Sequence, residues 1–111
     1  AESTAATCMP DGEYVLGRHA VQKCMCVVRL PDGTLAGSTL TLDQALRNLV
    51  GLGLDLADAS KRVSTNAADY LGLEERGRLA PGTYADLVVL DRDLKLKAVY
   101  IEGEICDLND A

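Results

Sequence analysis

The chain has 111 residues and a formal net charge of −6; 48% of it is hydrophobic and 4% aromatic, all Tyr. That length suits one small domain and excludes a complete (β/α)8 barrel, which needs about 250 residues. With no long basic stretch and no Trp or Phe for base stacking, a nucleic-acid partner is not expected, and no apolar run approaches the roughly 18 residues of a membrane span.

The N-terminal Ala1-Glu2-Ser3-Thr4 has neither the basic nor the apolar region of a signal peptide. Cys8, Cys24, Cys26 and Cys106 match no disulfide framework, so a reducing cytoplasm is expected. Met9-Pro10-Asp11-Gly12 is a turn signal. Glu13 to Leu16 and Ala20 to Leu30 read as two extended segments, with Cys24 and Cys26 on the same face of the second. Pro31-Asp32-Gly33 turns the chain again, and Leu35-Ala36-Gly37-Ser38 leads toward a helix.

Thr41 and Gln44 form a Thr-x-x-Gln capping box. Leu42, Ala45, Leu46, Leu49 and Val50 then recur at helical spacing, and Gly51 and Gly53 stop the helix. Asp55 is expected to cap a second helix with Leu56, Ala59 and Val63 inward, and Thr65 a short third one ended by Gly72. From Gly77 the pattern turns to strands. Pro81-Gly82 is a turn, and Leu87-Val88-Val89-Leu90 is the continuous apolar run of a buried strand. Leu94 to Ile101 alternates, Glu102-Gly103 makes a hairpin turn, and Glu104 to Leu108 closes it. Strands, helices and strands in that order give an α+β class.

Few residues advertise chemistry by type and spacing alone. His19 is the only histidine, whereas a catalytic zinc site needs three protein ligands, so it reads as an ordinary loop residue. Cys24-Met25-Cys26 is a weak metal signal, and Cys106 reads as a small buried hydrophobe. Arg76, Arg78, Lys95 and Lys97 read as solvated positions, and Asp91, Asp93, Asp107 and Asp110 as turn and surface residues. Gly51-Leu52-Gly53 lacks the Gly-Lys-Ser/Thr that would make it a phosphate loop.

Longer stretches carry a resemblance. Gly77 to Asp91 looks like the C-terminal signature of the amidohydrolase superfamily, in which it forms strands of a small β-sandwich beside a barrel. Asp86, at the mouth of its strand, is expected to accept backbone hydrogen bonds. Asp32 to Val50, Met9 to Tyr14 and Ser64 to Leu73 narrow the match, and from about Glu2 to Glu104 the chain resembles the last third of the N-acetylglucosamine-6-phosphate deacetylases. The resemblance implies hydrolysis of an N-acetyl group by water activated on a divalent metal (zinc or similar) whose Glu and His ligands lie upstream, with none in this chain. It also implies an Asp that acts as general base and then protonates the leaving amine.

That Asp opens an Asp-Ala-x-x-Ala-x-Gly-like segment, matched here by Glu2-Ser3-Thr4-Ala5-Ala6-Thr7-Cys8. Glu2 thus takes the catalytic position with one methylene more, and Cys8 stands where the family prefers Gly, a strained choice if φ is positive there. Leu35, Ala36 and Gly37 match the segment that lines the sugar pocket; the alternative is that Gly37-Ser38 is only a tight entry into the helix.

The expectation is therefore an α+β fragment of a metal-dependent amidohydrolase. Residues 1–75 would be the end of a (β/α)8 barrel, with its last strand, a hairpin and flanking helices, and residues 76–111 strands of the small β-sandwich. Its partners would be an amino-sugar phosphate, the remainder of the barrel in the same or another chain, and a second copy in a homodimer. Taken alone, the chain is expected to be inactive. Two other readings stay open: a free-standing, non-catalytic packing or assembly module derived from an amidohydrolase, and an amidohydrolase of another substrate.

Overall fold

The computed structural model describes residues 4–25 and 27–108. They fall in two compact units, Ala1–Ala45 and Leu46–Ala111.

The first unit is a four-stranded antiparallel meander: β1 (Gly12–Leu16), β2 (His19–Cys24), β3 (Val27–Arg29) and β4 (Leu35–Ser38), paired in that order. Leu16 pairs with His19, so Gly17 and Arg18 alone turn the first hairpin, and Gly17 takes the left-handed φ of 60° that the turn requires. Alternation sends Tyr14, Leu16 and Val21 to one face. There Ala6, Val21 and Val28 form the core, with Tyr14, Leu16, Leu30 and Ala36 packed against it.

The expected single strand over Ala20 to Leu30 is two strands. The chain reverses after Cys24, which pairs with Val27, and Met25 has a φ of 57°. The Asp11 carboxylate accepts the Met25 N–H at 3.0 Å and holds this turn. Cys24 therefore ends β2 rather than lining a continuous strand with Cys26, which lies outside the described residues. The next turn is as expected. The Gly33 N–H reaches the Leu30 carbonyl at 2.9 Å, Gly33 sits at φ 90°, and the Leu30 N–H returns to the Thr34 carbonyl at 2.8 Å.

Helix α1 (Leu42–Gly51) starts directly after Thr41, whose carbonyl takes the Ala45 N–H at 2.9 Å. Of the predicted apolar face, Leu46 is buried and Leu42 is exposed. Its end is a Schellman motif. Gly53, at φ 102°, donates to the Val50 carbonyl, and Leu54 donates to that of Leu49.

In the second unit, α2 (Leu56–Val63) and α3 (Thr65–Tyr70) precede a three-stranded antiparallel sheet: β5 (Leu87–Leu90), β6 (Leu96–Ile101) and β7 (Glu104–Ile105). Asp55 holds the N-cap position of α2, but its side chain makes no capping bond. Ser64, not Thr65, is the N-cap of α3. The Thr65 hydroxyl instead donates to the Gly77 carbonyl. Gly72 at φ 72° ends α3 through a second Schellman pair, Gly72 to Asp69 and Leu73 to Ala68.

The β5 run is not buried as expected: Val88 is 56% and Val89 44% exposed. Adjacent strand residues point to opposite faces, so neither face at these two positions is covered within the described residues. The β6 strand begins at Leu96, two residues later than its alternation suggests. Leu94 is held at φ 60° in a turn, where the Asp91 carboxylate accepts the Asp93 and Lys95 N–H groups at 2.9 Å each. The Glu102-Gly103 turn is as expected, with both residues at positive φ, 52° and 85°, which matches the right-handed twist of the flanking strands.

Candidate functional site

Residues 4–9 are held by local hydrogen bonds rather than regular structure. The Thr7 N–H donates to the Thr4 carbonyl at 3.0 Å and the Met9 N–H to the Ala6 carbonyl at 3.1 Å, making two successive turns. Thr7 Oγ1 accepts the Thr4 N–H at 3.1 Å, and Thr4 Oγ1 accepts the Ala6 N–H at 3.3 Å. Ala6 is fully buried in the core beneath the sheet, and Thr4 Oγ1 donates to the carbonyl of Ser38 at 3.4 Å. The turns are thus seated beside the end of β4.

Leu35, Ala36 and Gly37 all lie on β4, the edge strand of the meander, and not in a loop entering the helix. Val28 pairs with Gly37 and Arg29 with Leu35, so Ala36 is an extra residue in a β-bulge. Bulges re-aim side chains and end pairing, and they are frequent beside active sites. Here the bulge sends Ala36 toward the core cluster and leaves Leu35 63% exposed. An edge strand also keeps one row of backbone donors and acceptors outside the ladder. The arrangement can offer an apolar wall with main-chain polar groups beside it.

Glu2 lies outside the described residues. Cys8 does not, and its φ is 62°, the left-handed conformation that the Gly preference at this position anticipates. The Asp32 carboxyl is held below the usual carboxylate range by hydrogen bonds from Thr34, whose N–H lies 2.9 Å from Asp32 Oδ1. Asp32 therefore serves the turn that feeds β4. Pro10 and Asp11 are also structural: the Tyr14 hydroxyl donates to the Pro10 carbonyl at 2.6 Å.

His19 is exposed at the start of β2. Cys8 and Cys24 are exposed free thiols, and Cys106 is half-buried. Among the described residues no three His, Cys, Asp or Glu side chains converge to hold a metal ion. These residues do not by themselves fit the metal that the resemblance implies. An open groove of about 390 Å³ on the meander, lined by Gln22, Cys24, Val27 and Arg29 among others, does not include Leu35 to Gly37.

The cationic positions read as solvated are partly engaged. Arg76 pairs with Asp86 and, at 2.7 Å, with Glu102, while its guanidinium lies 4.3 Å from the centre of the Tyr84 ring. The hydrogen bonds its guanidinium donates to Glu102 and Asp86 push the Arg76 pKa up. Asp86 accepts the Glu102 N–H at 2.8 Å, the backbone bond expected of it, and this bond with Arg76 lowers its pKa. Arg78 pairs with Asp69. The Arg76–Glu102 pair spans 26 positions, so no local pattern announces it.

The sequence profile of the amidohydrolase family matches residues 20–106. An N-acetylgalactosamine-6-phosphate deacetylase of Escherichia coli O157:H7 is 41% identical over 106 residues, which is 94% of this chain and 28% of the relative. Among solved structures, an N-acetylglucosamine-6-phosphate deacetylase of Thermotoga maritima superposes with a TM-score of 0.87 at 43% identity, covering 95% of this chain and 29% of that one. A Mycobacterium smegmatis N-acetyl-D-glucosamine-6-phosphate deacetylase variant, solved with N-acetyl-D-glucosamine-6-phosphate, superposes at 0.81 with 42% identity, covering 93% and 28%. The chain spans less than two thirds of the length of the curated relatives it matches. The profile covers well over half of the sequence, and the chain belongs to the amidohydrolase family.

Proposed function

We propose that this chain is part of a hydrolase that converts N-acetylglucosamine 6-phosphate and water to glucosamine 6-phosphate and acetate. In this reading Glu2 holds the general acid/base position and Leu35, Ala36 and Gly37 form one wall of the sugar pocket. One observation carries it: the turns that follow position 2 and the bulged edge strand β4 are brought together by the Thr4–Ser38 bond and a shared apolar core. Sequence reasoning links these two segments only through the resemblance, and the fold makes them neighbours. Relatives named for glucosamine and galactosamine phosphates match at similar identity, so the substrate class is an N-acetylhexosamine 6-phosphate and both epimers belong in the assay.

Further parts of this reading follow from the resemblance. Residues 1–75 belong to the barrel end and 76–111 to the small sandwich. The divalent metal has its ligands outside the described residues. The enzyme works in the cytoplasm, as the cysteine spacing suggests, and pairs with a second copy. The second reading is a non-catalytic assembly module derived from an amidohydrolase, and it too places no convergent metal set among the described residues.

Two assays separate them. The 111-residue chain alone should not deacetylate either sugar phosphate, and turnover above a metal-free blank overturns the placement of the ligands elsewhere. In an enzyme carrying this segment on a whole barrel, Glu2→Asp should raise kcat. The extra methylene displaces proton transfer by roughly 1 Å, and misplacement of that order costs about a hundredfold. If neither form turns over, the module reading stands.

A further inference from the structure

The sheet of the second unit has two edges, and only one of them is protected. β7 is two residues long and carries Glu104, and a short, charged edge does not readily accept a further strand. β5, the other edge, is Leu87-Val88-Val89-Leu90, with neither Pro nor a charged residue in it. Its one neighbour among the described residues is β6, so alternate residues turn their N–H and C=O groups away from the ladder. Val88 is 56% and Val89 44% exposed, which leaves apolar surface open on both faces of this edge. Val89 pairs with Ala98 and Leu90 with Leu96, so the extra residue of the pairing is Lys97 on β6, and no bulge guards β5 itself.

We propose that β5 is a pairing edge for a second copy of this chain: two β5 strands run antiparallel about a two-fold axis through Val89 and join the two sheets into one. Symmetry limits the register. Opposite residues of an antiparallel pair point to the same face, and a two-fold axis normal to the sheet keeps each side chain on its own face. The axis must therefore pass through a like pair, at Val88 or at Val89. Centred on Val89, Val88 meets Leu90 of the second copy and Asp86 meets its Arg92, which is exposed, so opposite charges close both ends of the pair. Leu87 then meets Asp91, whose carboxylate is already taken by the Asp93 and Lys95 N–H groups. Centred on Val88, Asp86 would meet Leu90, and no opposite charges would come together. Each β5 is used once, so association stops at two copies. The contact uses neither metal nor substrate and stands apart from the deacetylase reading above.

The test is sedimentation equilibrium of the 111-residue chain over a rising concentration series, with hydrogen exchange on the same samples. A monomer–dimer equilibrium is expected, and the β5 amides that face away from β6 should exchange at least about tenfold more slowly in the dimer. Val89→Lys puts like charges on the axis of the pair and should weaken association at least about tenfold. Ile105→Lys, at a 66% exposed residue on the opposite edge, should change it less than about twofold. Circular dichroism checks that both variants fold; where Val89→Lys does not, the amide protection of the unsubstituted chain decides. The proposal is overturned by a chain that stays monomeric, by growth beyond two copies, by dimers whose β5 amides gain no protection, or by an Ile105→Lys loss as large as that of Val89→Lys. It is overturned as well if, in an enzyme carrying this segment on a whole barrel, those amides are protected at every concentration, because a strand of the same molecule then holds the edge.

Discussion

The meander β1–β4 and the sheet β5–β7 are both antiparallel, but different chemistry holds them. In the meander, Ala6, Val21 and Val28 are 0–2% exposed and form a small apolar core under one face. Carboxylates tie turns in both, Asp11 and Asp32 in the meander, Asp86 (to Glu102 and Arg76) and Asp91 (to Asp93 and Lys95) in the second unit, but in the second sheet β5 leaves Val88 and Val89 open and no buried apolar cluster stands beside those ties among the described residues. The candidate pocket strand rests on the apolar arrangement. A site that must hold a group to within about 1 Å gains from close packing, which resists deformation more than surface ion pairs do. The polar turns mark where the family signature is most recognisable and where chemistry is least expected.

This contrast is open to attack at single residues, all read by urea unfolding of the chain. The largest effect is expected in the second unit, at Gly77. Its φ is 77°, and a Cβ there would stand 2.6 Å from the Ala68 Cβ on α3. Gly77→Ala combines positive-φ strain with overpacking and should cost about 3 kcal/mol. A cost below about 1 kcal/mol would mean that the 75–78 loop moves aside, and that this unit is looser than the bonds around Arg76 and Arg78 suggest. In the meander, Val28→Ala should cost about 2 kcal/mol, since Val28 is fully buried and its loss leaves a cavity. A value near zero would deny that the apolar cluster holds the sheet.

The carboxylate ties predict a pH dependence. Asp86 and Asp91 have pKa values below the ordinary carboxylate value, chiefly through accepted backbone N–H bonds from Glu102 and Lys95. A depressed folded pKa gives stability that is fully present above the unfolded value of about 3.9 and is lost as pH falls through the folded one. The chain should therefore lose thermal stability on acidification below about pH 4. Asp86→Asn should be less stable at pH 7 and show a flatter acid limb. An unchanged limb would remove Asp86 from the set of structural ties.

How much of this was legible in the sequence varies with the range of the interaction. The turns at Pro31-Asp32-Gly33, Pro81-Gly82 and Glu102-Gly103 are written in residue types with local conformational demands, and all three occur. The ends of α1 and α3 were readable for the same reason, through Gly53 and Gly72. The reversal after Cys24 was not. No residue there favours positive φ, and the turn depends on Asp11, 14 positions away. Likewise Thr65 looks like a cap by type, but its hydroxyl is taken by Gly77, 12 positions on. For the candidate site, the residues came from the resemblance. What the fold adds is the nearness of the turns at residues 4–9 to β4, through Thr4 and Ser38, 34 positions apart, which no local pattern could show.

Cys8 gives the smallest and most selective prediction. A non-glycine residue at φ 62° carries about 1 kcal/mol of backbone strain, and the side chain is exposed, so no packing offsets it. Glycine there removes the strain but adds freedom to the unfolded chain, a cost of about 0.5–1 kcal/mol elsewhere. The balance predicts that Cys8→Gly stabilises the chain by at most about 0.5 kcal/mol. Cys8→Ala keeps a Cβ at the same φ and serves as the control, with no gain expected. If Cys8→Gly were instead destabilising by as much as Val28→Ala, the thiol would be holding the turn rather than straining it. The segment after position 2 would then differ from its relatives by design of its own packing, and the glycine preference at this position would not describe this protein.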